Sequence, residues 1–189
     1  MKRLDAFVGL LCGRFDNTAQ LEALRDRGVT DFPLAEHVNT ACNDKITGLP
    51  EAFAGVFVVE ESYYTTNGRT HASHHLFLFT EEDGGVKLTS YELPEGYDKA
   101  GFTYEKMGRV PHDTLRVSKT FNPALYRLKD GVWEGGSVSM FSPALKFTLF
   151  ERFSQEALEV SESMERNGTR TFGYDEPIRY RRTLGVNAD

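Results

Sequence analysis

The sequence predicts a mainly β fold, an antiparallel barrel of about nine or ten strands preceded by helices. Three observations carry this. After Pro50 the apolar residues recur with period two, in stretches rich in β-branched and aromatic side chains. Asn-Gly or Asp-Gly pairs, which tolerate the positive φ of tight antiparallel turns, fall between them at 67–68, 83–84, 130–131 and 167–168. Over the first 28 residues the pattern is helical instead.

The helical preface covers residues 1–28. Leu4, Phe7, Val8 and Leu11 form one amphipathic stripe that Gly13 closes. Asn17 with Gln20 reads as a capping-box-like start of a second helix, with Leu21 and Leu24 facing inward and Gly28 at its end. Residues 55–183 supply the strands, among them 57–64, 75–79, 86–91 and 145–150. The turn-rich stretch Leu93–Gly101 is the one long interruption and reads as a rim loop. At 189 residues, with no linker, repeat or low-complexity tract, the chain predicts one domain over 1–189. Closure into a barrel is preferred because it removes the edges that so many apolar strands would expose. Such a barrel holds either packed side chains or one small ligand.

Composition narrows the partners. Lys and Arg number 22 against 28 Asp and Glu, a net charge of −6, which argues against nucleic acid. The two cysteines, Cys12 and Cys42, make neither a disulfide framework nor a zinc spacing, as expected of a reduced compartment. Asp5 interrupts the first apolar run and no small-residue cleavage site follows, so no signal peptide is expected. No stretch approaches the roughly 18 apolar residues of a membrane span. A soluble, cytoplasmic protein is the expectation, with a homodimer left open. Aromatic residues at 12% suit an aromatic-lined interior.

Two clusters are candidates for chemistry. Glu60 and Glu61 interrupt an apolar strand, and strict alternation sends Val58, Glu60, Ser62 and Tyr64 to one face and Phe57, Val59, Glu61 and Tyr63 to the other. One carboxylate then faces the interior, where burial tunes its proton affinity, unless the strand is an edge with both acids near water. In His71-Ala72-Ser73-His74-His75, the adjacent His74 and His75 point to opposite faces and cannot chelate one metal, so no metal site is assigned. A histidine bonded across the Asn67-Gly68 hairpin to Glu60 or Glu61 would form an acid/base unit. There is no Gly-x-Ser-x-Gly elbow, P-loop or GxGxxG. Trp133 reads as core or wall, and Asn167-Gly168-Thr169 as a turn.

Three stretches resemble one family. Gly13-Arg14-Phe15-Asp16-Asn17-Thr18-Ala19-Gln20 is similar to the "G-x-F-x-N-x-x-Q" signature of CpcT/CpeT-type chromophore lyases, which attach linear tetrapyrroles (bilins) to phycobiliprotein cysteines. Val58-Val59-Glu60-Glu61-Ser62-Tyr63 resembles that family's "Y-x-E-Q-x-Y" strand, and Thr171–Tyr180 its closing "W-G-x-x-x-G-P-Y" segment. Val58 stands where the family has an aromatic, Glu61 where it has glutamine, and Ser73-His74-His75 where its arginines align. The resemblance implies a calycin-like, lipocalin-like barrel that needs no resident cofactor and binds a bilin-like, mostly apolar ligand. It implies Glu60 as the catalytic carboxylate and Tyr63 at the pocket wall, with Glu61, His74 and His75 as further ligand contacts. The partner it implies is a phycobiliprotein-like acceptor that brings the thiol. A non-catalytic carrier or sensor of another hydrophobic ligand, such as a fatty acid or heme, is the alternative. A small hydrolase or isomerase pairing Glu60 or Glu61 with His74, and a solid barrel acting through its surface, also stay open.

Overall fold

A computed structural model describes residues 2–183. Among these the elements are α1 (Arg3–Leu11), β1 (Gly13–Asp16), α2 (Thr18–Asp26), β2 (Leu34–Ala41), β3 (Ile46–Thr47), β4 (Val56–Thr66), β5 (Arg69–Glu82), β6 (Gly85–Tyr91), β7 (Val110–Pro111), β8 (Ala124–Lys129), β9 (Val132–Ser142), β10 (Leu145–Phe153), β11 (Leu158–Arg166), β12 (Thr169–Gly173) and β13 (Ile178–Arg182). Asn67, Asp83, Asp130 and Asn167 all adopt φ near +50°, and each begins the hairpin turn its Asn-Gly or Asp-Gly pair predicts.

Ten strands close an antiparallel barrel in the order β10-β9-β8-β6-β5-β4-β2-β1-β13-β11, with β11 returning to β10. The mainly β, calycin-like expectation holds. β12 extends β11, and β3 with β7 forms a separate parallel pair.

The barrel begins earlier than the expected residue 55. β1 splits the helical preface, and with β2 it bridges β4 to β13. Four residues are too few to carry a period of their own; β1 exists because two neighbouring strands need a partner between them. The anticipated capping box is also absent. Asn17 instead donates to the Pro33 carbonyl (2.9 Å) and accepts the Ala35 N–H (2.8 Å), while Asp16 Oδ1 receives the Thr18 N–H. Gln20 bonds to the Pro177 carbonyl and the Arg179 N–H of the carboxy-terminal strand region, so the first and third stretches of family resemblance meet.

Helix α1 closes one end of the barrel. Phe7, fully buried, sits among Phe79, Tyr126, Trp133 and Phe153, with ring centroids 4.9 to 5.3 Å away. Arg182 holds the helix in place by donating to the carbonyls of Leu10 and Cys12, both at 2.7 Å. Its guanidinium passes so close to Gly13 that a Cβ there would lie 2.1 Å from Nη1, and Gly13 has φ +142°. Only glycine suits that position.

The outer face is clad as well. Phe57, Val59 and Leu76 point away from the lumen into a second apolar cluster with Phe102, Met107, Val110 and Leu115. The Leu93–Gly101 stretch therefore lies along the wall and does not ring the rim. It covers a gap between strands. β6 joins β5 only from Leu76 onward, and β8 meets β9 only up to Gly136. Across this gap the His74 N–H donates to the Lys99 carbonyl (2.7 Å), and Asn122 donates to Ser139 Oγ and the Val138 carbonyl.

Candidate functional site

Above the aromatic floor the barrel is hollow, with a cavity of about 590 Å³. That is the size range of pockets for drug-sized or cofactor-sized ligands. Thr66, Arg69 and His71, all exposed, line it near the Asn67-Gly68 turn. Phe121 seals the flank where strands are missing, packing edge-to-face on Phe141 (5.1 Å), Phe147 (5.7 Å) and His75 (6.0 Å).

Alternation along β4 points Glu60 and Tyr64 into this space, and along β5 it points Ser73, His75 and Phe77. Glu60 and His75 are register partners, so both face the lumen side by side. Glu60 Oε1 accepts the Ser62 hydroxyl at 2.7 Å; Ser62 Oγ lies 3.3 Å from His37 Nε2, and His37 Nδ1 lies 3.9 Å from Glu60 Oε1. Burial, reinforced by the Glu151 charge, pushes the Glu60 carboxyl up to about 8. Burial pulls His37 down to about 4 and His75 to about 3. Near neutral pH Glu60 is therefore the proton holder and both imidazoles are neutral.

Two further carboxyls face the same lumen. Glu151 on β10 accepts a short hydrogen bond from the Tyr126 hydroxyl, and Glu162 on β11 accepts one from Tyr64 at 3.3 Å. Burial raises both, Glu151 to about 7. Sequence reasoning missed this pair, yet the signal was the one that exposed Glu60. Each is the lone acid among apolar residues on the inward face of its strand, Phe147-Leu149-Glu151-Phe153 and Leu158-Val160-Glu162-Met164.

The remaining expected ligand contacts lie elsewhere. Glu61, Tyr63 and His74 occupy the outward positions of β4 and β5, which corrects the expectation that they share the lumen with Glu60. Period two forces this, since neighbours in one strand cannot share a face. Glu61 accepts the Tyr63 hydroxyl (2.8 Å) and the Tyr104 N–H (3.1 Å), tying the 92–118 segment to the barrel. His74 is fully buried beneath that segment, and its Nδ1 accepts the Ser62 N–H at 3.2 Å. Glu60 and His74 are on opposite faces, so that acid/base pair does not form. Glu61 and His74 are register partners on the outer face, but no hydrogen bond joins them: Glu61 holds Tyr63 and Tyr104, while the His74 Nε2 is buried without a partner.

Cys42 is buried and Cys12 half-buried, with burial raising their thiols to about 12 and about 11. Trp133 belongs to the floor. Among the described residues no three His, Cys, Asp or Glu side chains converge as metal ligands would, and no helix is long and apolar enough to cross a membrane. No protein-family model matches the chain, and no curated protein matches it.

Proposed function

We propose that the barrel binds a small, mostly apolar ligand bearing N–H donors, of the linear-tetrapyrrole kind, and delivers or attaches it to a cysteine of a phycobiliprotein-like acceptor. The observation that carries this reading is Glu60, a carboxyl with near-neutral proton affinity on the wall of a hollow whose mixed lining includes the rings of Phe77, Phe121, Phe141 and Phe147. A conjugated amphiphile buries its rings against Phe77, Phe121 and Phe147, while a few polar groups set its register. Arg69 and Lys99, both exposed, suit carboxylate tails of such a ligand.

Glu60 lies where the family resemblance puts the functional carboxylate. Its role is to hold the pyrrole N–H groups and keep the chromophore protonated, hence electrophilic. The acceptor thiol then adds across an exocyclic C=C of the bilin. The C–S bond forms as the π bond breaks, the thiol proton ends on the adjacent carbon, and nothing is oxidised or reduced. The protein's own shielded cysteines take no part, and a reduced cytoplasm keeps the acceptor thiol free.

The test is a titration of biliverdin, followed by absorption, against the wild type and Glu60→Gln. Equal affinity and equal spectra would remove Glu60 from the ligand. Incubation with phycocyanobilin and a phycobiliprotein subunit decides attachment. A covalent, zinc-fluorescent adduct supports a lyase, whereas binding without an adduct leaves the barrel a carrier.

A further inference from the structure

The lumen carries more acid than one ligand contact needs. Glu60 on β4, Glu151 on β10 and Glu162 on β11 face it from three strands, yet they do not converge on a point as the ligands of a metal ion do. The charged and titratable groups around them come from every side. His37 and His75 are held neutral by burial; Tyr64 and Tyr126 donate to Glu162 and Glu151; Lys99, over the Phe121 ring at 5.5 Å, is the cation whose field reaches Glu60 and Glu162. Arg69 and His71 are exposed beside the turn, and Tyr174 completes the lining.

A second observation points the same way. The Tyr180 hydroxyl is fully buried beside the Tyr64 hydroxyl, makes no hydrogen bond of good geometry, and stands in the field of all three carboxyls. A buried hydroxyl left short of a partner is costly; Tyr180 itself stands behind the lining, and Tyr64 beside it is the group that a polar guest would meet. Burial raises all three carboxyls, repulsion from neighbouring carboxylates adds to it at Glu60 and Glu151, and the charge of a guest cation would oppose both effects.

We infer that the lumen selects an extended organic cation, a flat conjugated molecule whose N–H groups span Glu60, Glu151 and Glu162, and that its entry drives protons off these carboxyls. This rests on the reading of the hollow as a ligand site and adds the charge class of the ligand. A protonated linear tetrapyrrole belongs to that class, and a fatty acid does not.

Three dyes of similar size test it: thioflavin T (cationic), Nile red (neutral) and 8-anilinonaphthalene sulfonate (anionic). At about pH 7.5 thioflavin T is expected to bind at least about tenfold more tightly than the anionic dye. Calorimetry in phosphate and in Tris is expected to show proton release with thioflavin T and none with Nile red. Glu151→Gln with Glu162→Gln keeps size and hydrogen bonding; it should lose about tenfold in thioflavin T affinity and abolish most of the release, with Nile red unchanged within about twofold. If the double variant does not fold, the two-buffer experiment on the wild type decides alone. Equal binding of cation and anion, or no proton release, overturns the inference while the hollow remains a ligand site. Failure of all three dyes and of biliverdin overturns both.

Discussion

The Tyr126 hydroxyl donates to the Glu151 carboxyl inside the barrel, and the Tyr126 ring packs 5.3 Å from Phe7 of the closing helix. One residue thus joins the apolar floor to the acidic lumen, and the plug and the site are not independent.

Proton affinity makes stability fall in alkali. Folding raises Glu60 from 4.5 to about 8 and Glu151 to about 7, so at these two sites the native chain binds protons more tightly than the unfolded chain. Their contribution is full below the unfolded carboxylate value and is lost as pH climbs through about 7 to 8. Every tenfold gain in proton affinity on folding corresponds to about 1.4 kcal/mol. Buried His37 and His75, lowered from 6.5, act the other way at lower pH, so the thermal midpoint by circular dichroism is expected to drop by several degrees between about pH 7 and 9. Glu60→Gln should flatten that slope, and a midpoint that rises would contradict the burial argument.

Removing the plug should be costly. Phe7→Ala empties a fully buried site bounded by four aromatic rings, and truncations of this kind cost about 3–5 kcal/mol. Urea unfolding should show a lower midpoint with an unchanged slope. A loss under about 1 kcal/mol would mean that α1 is not part of the cooperative unit.

The outward position of Glu61 separates cladding from lumen. Glu61→Ala removes the acceptor of the Tyr63 hydroxyl and of the Tyr104 N–H. Hydrogen exchange should quicken across residues 98–107, while dye affinity in the lumen stays within about twofold. A large affinity loss without loosened cladding would place Glu61 in the ligand site after all.

Phe121 packs its ring over the strand-free flank on the lumen side, next to the Asn122 hydrogen bonds to β9. Phe121→Ala should speed dissociation of a bound dye in stopped flow by about tenfold, since most interface changes act on the off-rate. An unchanged off-rate would direct traffic to the mouth beside Arg69 and His71.

The turns and long strands were legible because their causes are local. An Asn-Gly pair adopts positive φ wherever it sits, and period two in β4 announces two faces whatever lies beyond them. Glu60 was legible for the same reason, as an acid on an apolar face. β1 was not, because its four residues are ordered by β2 and β13, and Asn17 and Gln20 carry side chains that suit a helix cap as well as the tertiary bonds they make.

By itself, then, the chain's order of residues determined an antiparallel barrel with helices before it and an acid between apolar neighbours in the fourth strand. Only the tertiary structure decided which face of that strand was the lumen, that the lumen was hollow, and that Glu151 and Glu162 joined Glu60 there. The reason is range: turn and strand preferences act within a few residues, whereas facing carboxyls and an enclosed volume are set by strands as distant in sequence as β1 and β13, where Phe15 pairs with Arg182.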